Sequence, residues 1–127
     1  MTKVLIVDDV QGWINHHTDV IKLICEDCEI ITANSARAGY DLIMEHNESP
    51  FDVIITDMQM ENDFEPKYAG EWLVEQIKTF KNYLNTKIII ISATYNIRQI
   101  AEMLNVECIP KKTALNFPQA YEEILKK

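Results

Sequence analysis

Five side chains follow or end apolar runs, and together they have the chemistry to handle a phosphoryl group. Asp8 and Asp9 follow residues 4–7, Asp57 follows 53–56, Ser92 ends 87–92, and Lys111 follows Pro110 after the short run at 106–109. Such runs, rich in Val and Ile, read as strands buried on both faces of a parallel sheet. In open α/β sheets the ligand site lies beyond the carboxyl ends of the strands. Three carboxylates meeting there repel, and raise one another's pKa, unless a cation sits among them. Oxygen-only ligands with open positions suit Mg²⁺, which takes one or two carboxylates directly and keeps several waters. An ammonium and a hydroxyl supply donors where a transferring phosphoryl group gathers charge. These are the parts needed to make an aspartyl phosphate.

The elements that must position these groups alternate along the chain. After the strand at 4–7, Ile14, His17, Ile21, Ile24 and Cys25 recur at helical spacing. Residues 29–33 read as a second strand. Ser35 is an N-cap for a helix whose inner face is Ala36, Tyr40, Ile43 and Met44. The third strand follows the turn pair Ser49-Pro50. A long acidic stretch then leads to a helix with Leu73, Ile77, Phe80 and Leu84 on one face. After the fourth strand, a short helix carries Ile97, Ile100, Ala101 and Leu104. Pro110 stops the fifth strand, and Asn116 caps a last helix with Phe117, Tyr121, Ile124 and Leu125 facing inward. Five strands interleaved with five helices give a doubly wound α/β parallel sheet. The flavodoxin-like strand order 2-1-3-4-5 suits this length and sets strands 1 and 3 side by side. Residues 1–127 are expected to form one domain.

Composition narrows the function classes. A formal net charge of −8, from 20 acidic and 12 basic residues, argues against sequence-independent nucleic-acid binding and against an anionic membrane surface. No apolar stretch approaches a membrane span, and the run at 3–7 is too short for a secretory leader. A cytoplasmic location with reduced thiols is therefore expected. Cys25 and Cys28 form a C-x-x-C pair at a helix end rather than a helix start, so they read as ordinary cysteines near the core rim. The adjacent His16 and His17 point to different helix faces, which argues against chelation.

Ile6-Val7-Asp8-Asp9, Ile55-Thr56-Asp57-Met58-Gln59-Met60, Ile90-Ile91-Ser92-Ala93 and Cys108-Ile109-Pro110-Lys111 resemble the four motifs of the response-regulator receiver domain (CheY-like). The resemblance covers essentially the whole chain, in order. It implies that Asp57 is the phospho-acceptor, that Asp9 binds Mg²⁺ directly and that Asp8 does so largely through water. The backbone carbonyl of Gln59 would complete the protein's share of the metal shell. Ser92 would be the switch hydroxyl, and Lys111 would pair with a phosphoryl oxygen. Gln59 and Thr94 stand where the family varies its dephosphorylation rate. The phosphoryl donor implied is a histidine kinase or histidine phosphotransfer protein, with output to a protein partner through the face of helix 4, strand 5 and helix 5.

Several positions depart from that pattern. Lys112 replaces the proline that commonly follows the lysine. A non-proline cis bond costs about 2.5–4 kcal/mol, so a trans bond is expected. Cys108 occupies the aromatic switch position, and Tyr95 is the ring that could substitute. Residues 61–68 make an insertion, read either as a tolerated surface loop or as a lid or partner contact through Phe64 and Tyr68. The fourth helix is expected to be abbreviated.

Three functions compete. The first is the phosphorylation-switched signalling module, which catalyses only its own modification. The second is a receiver-like scaffold that has lost or altered switching. The third is a Mg²⁺-dependent phosphohydrolase similar to the haloacid dehalogenases. It is disfavoured because Gln59 stands where the second acid would be needed. A dinucleotide or flavin role is disfavoured by the lack of a G-x-G-x-x-G turn.

Overall fold

The computed structural model describes residues 1–60 and 68–125. Five parallel strands form one sheet in the order 2-1-3-4-5. They are β1 (Lys3–Val7), β2 (Glu29–Ala33), β3 (Val53–Thr56), β4 (Lys87–Ser92) and β5 (Glu107–Pro110). Between and after them lie α1 (Gln11–Ile24), α2 (Ala36–Glu45), α3 (Ala69–Ile77), α4 (Ile97–Leu104), α5 (Lys111–Asn116) and α6 (Gln119–Leu125), with one 3-10 turn at Lys81–Tyr83. The doubly wound α/β expectation and its strand order both hold.

Strand periodicity divides the core into two layers, because alternate side chains leave opposite faces. Leu5, Val7, Ile54, Ile88 and Ile90 pack under α2, α3 and α4 with Ile43, Leu73, Ile77 and Ile100. Val4, Ile6, Val53, Ile55, Ile89 and Ile91 pack under α1, α5 and α6 with Ile14, Ile21, Ala114, Tyr121 and Ile124. With both faces covered, the central strands can be apolar at every position.

Register decides where the chemistry goes. Val7 pairs with Thr56, so the residues that follow them, Asp8 and Asp57, emerge side by side. Ser92 pairs with Pro110, which brings Lys111 out at the same rim. The ladder continues one residue past the strands, with Asp57 N–H donating to Val7 O at 3.0 Å and Asp8 N–H to Ala33 O at 3.1 Å.

Most helix signals hold. Ser35 caps α2 by accepting from Ala38 N–H at 3.0 Å. The fourth helix is abbreviated to eight residues and ends at Asn105, which takes the left-handed conformation (φ 57°) that Asn tolerates.

Some inner-face assignments fail at helix ends. Met44, Leu84 and Phe117 are exposed. The helix containing Leu73 stops at Ile77 and a 3-10 turn follows, which buries Tyr83 in place of Leu84. The expected last helix is two helices. Asn116 ends α5 rather than capping α6, because Pro118 pushes Phe117 out of the helical region (φ −132°, ψ 84°). Cys25 and Cys28 are disulfide-bonded rather than reduced. The helix ends at Ile24, so Cys25 is extended and the following turn brings the two Cα atoms to 5.6 Å, within disulfide reach. No helix among the described residues is long and apolar enough to cross a membrane.

His17 joins the second layer together. Its ring is buried, and Nδ1 lies 2.6 Å from the Tyr121 hydroxyl of α6. Burial, helped by neighbouring His16 and Lys111, holds the imidazole down to about 3. An unfolded histidine titrates near 6.5. Between these values the unfolded chain binds a proton that the folded one refuses, so this group's contribution to stability falls as pH drops from about 6.5 toward 3. The slope approaches about 1.4 kcal/mol per pH unit. Urea midpoints measured across that range should show the wild type losing stability faster than His17→Gln. Parallel curves would rule out a neutral buried His17.

Candidate functional site

At the carboxyl rim, the β1–α1 turn presents Asp8 and Asp9, and the end of β3 presents Asp57. One carboxylate oxygen from each lies within 4.8 Å of the other two. Asp8 and Asp57 are buried, and Asp9 is half-buried. Lys111, the first residue of α5, reaches between them. Its Nζ donates to Asp57 Oδ2 at 2.7 Å and lies 3.2 Å from Asp8 Oδ2.

The backbone holds the remaining oxygens. Asp57 Oδ1 accepts from Met58 N–H at 2.6 Å, and Asp8 Oδ1 accepts from Val10 N–H at 3.0 Å. Asp8 Oδ2 is fully buried and has no partner beyond the Lys111 ammonium at 3.2 Å. Burial raises the Asp8 carboxyl above the usual range. The Val10 N–H pulls it back, the Asp57 carboxylate pushes it further up, and the Lys111 ammonium again lowers it.

Asp8 and Asp57 share one ammonium at this rim, with the Asp9 carboxylate beside them. Three grouped carboxylate oxygens suit a small divalent cation with oxygen ligands. The donor set fits Mg²⁺.

The other expected residues are close in the fold and differ in engagement. Ser92 is buried at the end of β4, and its Oγ lies 3.0 Å from Thr94 Oγ1 while accepting from Thr94 N–H at 3.2 Å. Ser92, Thr94 and Lys111 share the lining of a groove of about 520 Å³. Gln59 is exposed beside Asp57. Cys108 is half-buried against the α2–α4 layer. Tyr95 does not replace the missing ring, because it is 96% exposed. Tyr68 packs against the core, whereas Phe64 lies outside the described residues.

Two residues at the rim carry weight that the motifs do not show. Trp13, in the first turn of α1, lies under the Lys111 ammonium, 5.0 Å from Nζ to the ring centroid. Such a contact is worth about 0.5–2 kcal/mol, more when water is excluded. The signal in the sequence was an aromatic residue four positions after Asp9, at the start of the helix leaving that strand. The second is Gly70. Its N–H donates to Met58 O at 2.9 Å, drawing α3 onto the backbone of the acceptor segment. A Cβ at this position would overlap the Asp57 carbonyl oxygen and come within 2.8 Å of Met58 Cα.

The sequence matches the response regulator receiver domain over residues 4–115. The chain belongs to that family. Structural neighbours show the same fold. A response regulator receiver domain protein from Clostridium thermocellum aligns with TM-score 0.73 and 23% identity, covering 98% of this chain and 94% of its own. The chemotaxis protein CheY4 of Vibrio cholerae aligns with TM-score 0.70 and 22% identity, covering 98% and 99%. The response regulator TrrA of Thermotoga maritima, solved in complex with Mg²⁺ and BeF, aligns with TM-score 0.72 and 22% identity over 98% and 96%. No curated protein matches the sequence significantly. Receiver domains are signalling modules, and the acidic cluster of this one is consistent with a phospho-acceptor site.

Because the obstruction at Gly70 is backbone, it cannot turn aside as a side chain would. Gly70→Ala should cost roughly 1–3 kcal/mol, the range of overpacked sites, and should shift Asp57. Urea unfolding together with Mg²⁺ titration measures both effects. Wild-type values for stability and Mg²⁺ affinity would mean that α3 slides freely away from the acceptor segment.

Proposed function

We propose that this receiver domain is a phosphorylation-switched signalling module. It accepts a phosphoryl group on Asp57 from a histidine kinase or histidine phosphotransfer protein, and it signals by protein–protein interaction. The observation that carries this reading is the Lys111 ammonium 2.7 Å from Asp57 Oδ2, with carboxylate oxygens of Asp8 and Asp9 grouped around the same point.

Each side chain has a distinct task in the transfer. Asp57 is the nucleophile. Its carboxylate oxygen forms a bond to phosphorus as the bond from phosphorus to the donor imidazole breaks, and the electron pair returns to that imidazole. Met58 N–H fixes the carboxylate's orientation before attack. Lys111 exchanges its contact with Asp57 for a phosphoryl oxygen and so meets charge as it develops. Asp9, Asp8 largely through water, Asp57 and the Gln59 carbonyl would hold Mg²⁺. When bound, Mg²⁺ offsets the charge on the phosphoryl oxygens that the acidic cluster would otherwise repel. Ser92 is the switch hydroxyl, and its Oγ, now 3.0 Å from Thr94 Oγ1, turns to donate to the phosphoryl group. Thr94 and Gln59 stand at the positions that tune the lifetime of the modification. Output runs through the face made by α4, β5 and the helices that follow.

A second reading, a scaffold with altered switching, is favoured by one feature. No aromatic ring stands at Cys108, and the exposed Tyr95 does not take its place.

Incubation with Mg²⁺ and a small acyl phosphate should add one phosphoryl group to Asp57 by mass spectrometry, and Asp57→Asn should remove the signal. Mg²⁺ at a hundred times its Kd should stabilise the wild type by about 2.7 kcal/mol. An unlabelled Asp57 in a protein that Mg²⁺ does stabilise would favour the scaffold.

A further inference from the structure

The fold contains a second route out of the site, and it begins at Trp13. Lys111 has a flexible four-carbon stem and an ammonium that must be held among three carboxylates. Asp57 Oδ2 takes one donor, Asp8 Oδ2 lies 3.2 Å away, and the indole face of Trp13 closes a further side at 5.0 Å. The same ring is 5.4 Å from His17, whose imidazole is 5.7 Å from the Tyr121 ring and shares a hydrogen bond of 2.6 Å with its hydroxyl. His16, also 5.4 Å from Trp13, reaches Ala114 O of α5 at 3.3 Å. Lys111 is itself the first residue of α5. The ammonium is thus linked through these contacts to α1, α5 and α6 on one side of the sheet. On the other route, Cys108 carries no ring, and Ser92 is engaged locally with Thr94.

We propose that Trp13 is the positioning residue for Lys111, and that the chain of tilted ring contacts Trp13–His17–Tyr121 passes a shift of that ammonium to α6. The inference rests on the phosphoryl-switch reading above. A phosphoryl oxygen on Asp57 draws Lys111 away from its contact with Oδ2, the cation moves across the indole face, and the packed rings adjust down to the buried Tyr121.

The test uses beryllofluoride with Mg²⁺ as the phosphoryl mimic, in a Trp72→Phe background where Trp13 alone emits. Lys111→Met in the metal-free protein should alter Trp13 emission, a readout independent of phosphoryl chemistry. Trp13→Phe should keep beryllofluoride affinity within about threefold, whereas Trp13→Leu should lose about tenfold, with Mg²⁺ affinity unchanged in both. Hydrogen exchange at the α6 amides should respond to saturating beryllofluoride in the wild type and fail to respond in Trp13→Leu. Equal losses of Mg²⁺ and beryllofluoride affinity would mark general damage and overturn the proposal. So would wild-type binding and α6 exchange in Trp13→Leu. A wild type that binds Mg²⁺ but no beryllofluoride would sink the phosphoryl-switch reading as well, whereas normal wild-type binding with an unaffected Leu variant would sink this inference alone.

Discussion

One ammonium shared between buried carboxylates sets the terms for the rest of the molecule. Lys111 sits 2.7 Å from Asp57 and 3.2 Å from Asp8, and its side chain is only 11% exposed. Removing one partner of such a cluster leaves a buried charge with nothing to balance it, which is costly. The arrangement is tolerable because the backbone contributes as well, with amides of Met58 and Val10 each holding a carboxylate oxygen. The second oxygen of Asp8 has only that ammonium, at 3.2 Å, to face. Folding thus gathers three carboxylates into a donor set whose chemistry fits a divalent cation.

The sheet holds that cluster in register. Side chains at the ends of β1 and β3 can share a rim only if the strands are parallel and in the observed pairing. A one-residue slip would send every side chain of one strand to the opposite face. The apolar strands make such a slip expensive, because α1 and α6 cover one face and α2 and α3 cover the other. Gly70 brings α3 close enough to cover the acceptor segment without intruding on it. Core packing and site geometry are in this sense the same constraint.

Much of this was legible in the sequence, because it depends on short-range pattern. Continuous runs of Val and Ile marked strands covered on both faces. Their carboxyl ends named Asp8, Asp9, Asp57, Ser92 and Lys111, all of which meet at one rim. What was not legible depends on tertiary context or on backbone geometry at element ends. The exposure of Met44 and Leu84 follows from where α2 and α3 stop, and helical spacing cannot fix those limits within a turn. The break at Phe117 was signalled by Pro118, but tolerance of proline in a first turn allowed one helix to be expected where two occur. The Cys25–Cys28 disulfide depended on the helix stopping one residue before Cys25. Trp13 escaped notice because an aromatic residue on an amphipathic helix usually fills core, and only the fold sets it against Lys111.

The unequal surroundings of the two layers bear on how a change at the rim would spread. The layer under α2, α3 and α4 meets the site through Ser92, Thr94 and Cys108, where small groups bond locally and leave room to rearrange. The layer under α1, α5 and α6 meets it through Lys111, Trp13, His17 and Tyr121, where large rings touch and one hydrogen bond is fully buried. Packed interiors transmit displacement in proportion to how little free volume they contain. A small hydroxyl can turn without moving its helix. An indole packed against an imidazole that is held to a buried phenol cannot shift without moving either ring or helix. The stiffer path in this receiver domain therefore lies on the α1–α6 side of the sheet, set by the aromatic residues that line it.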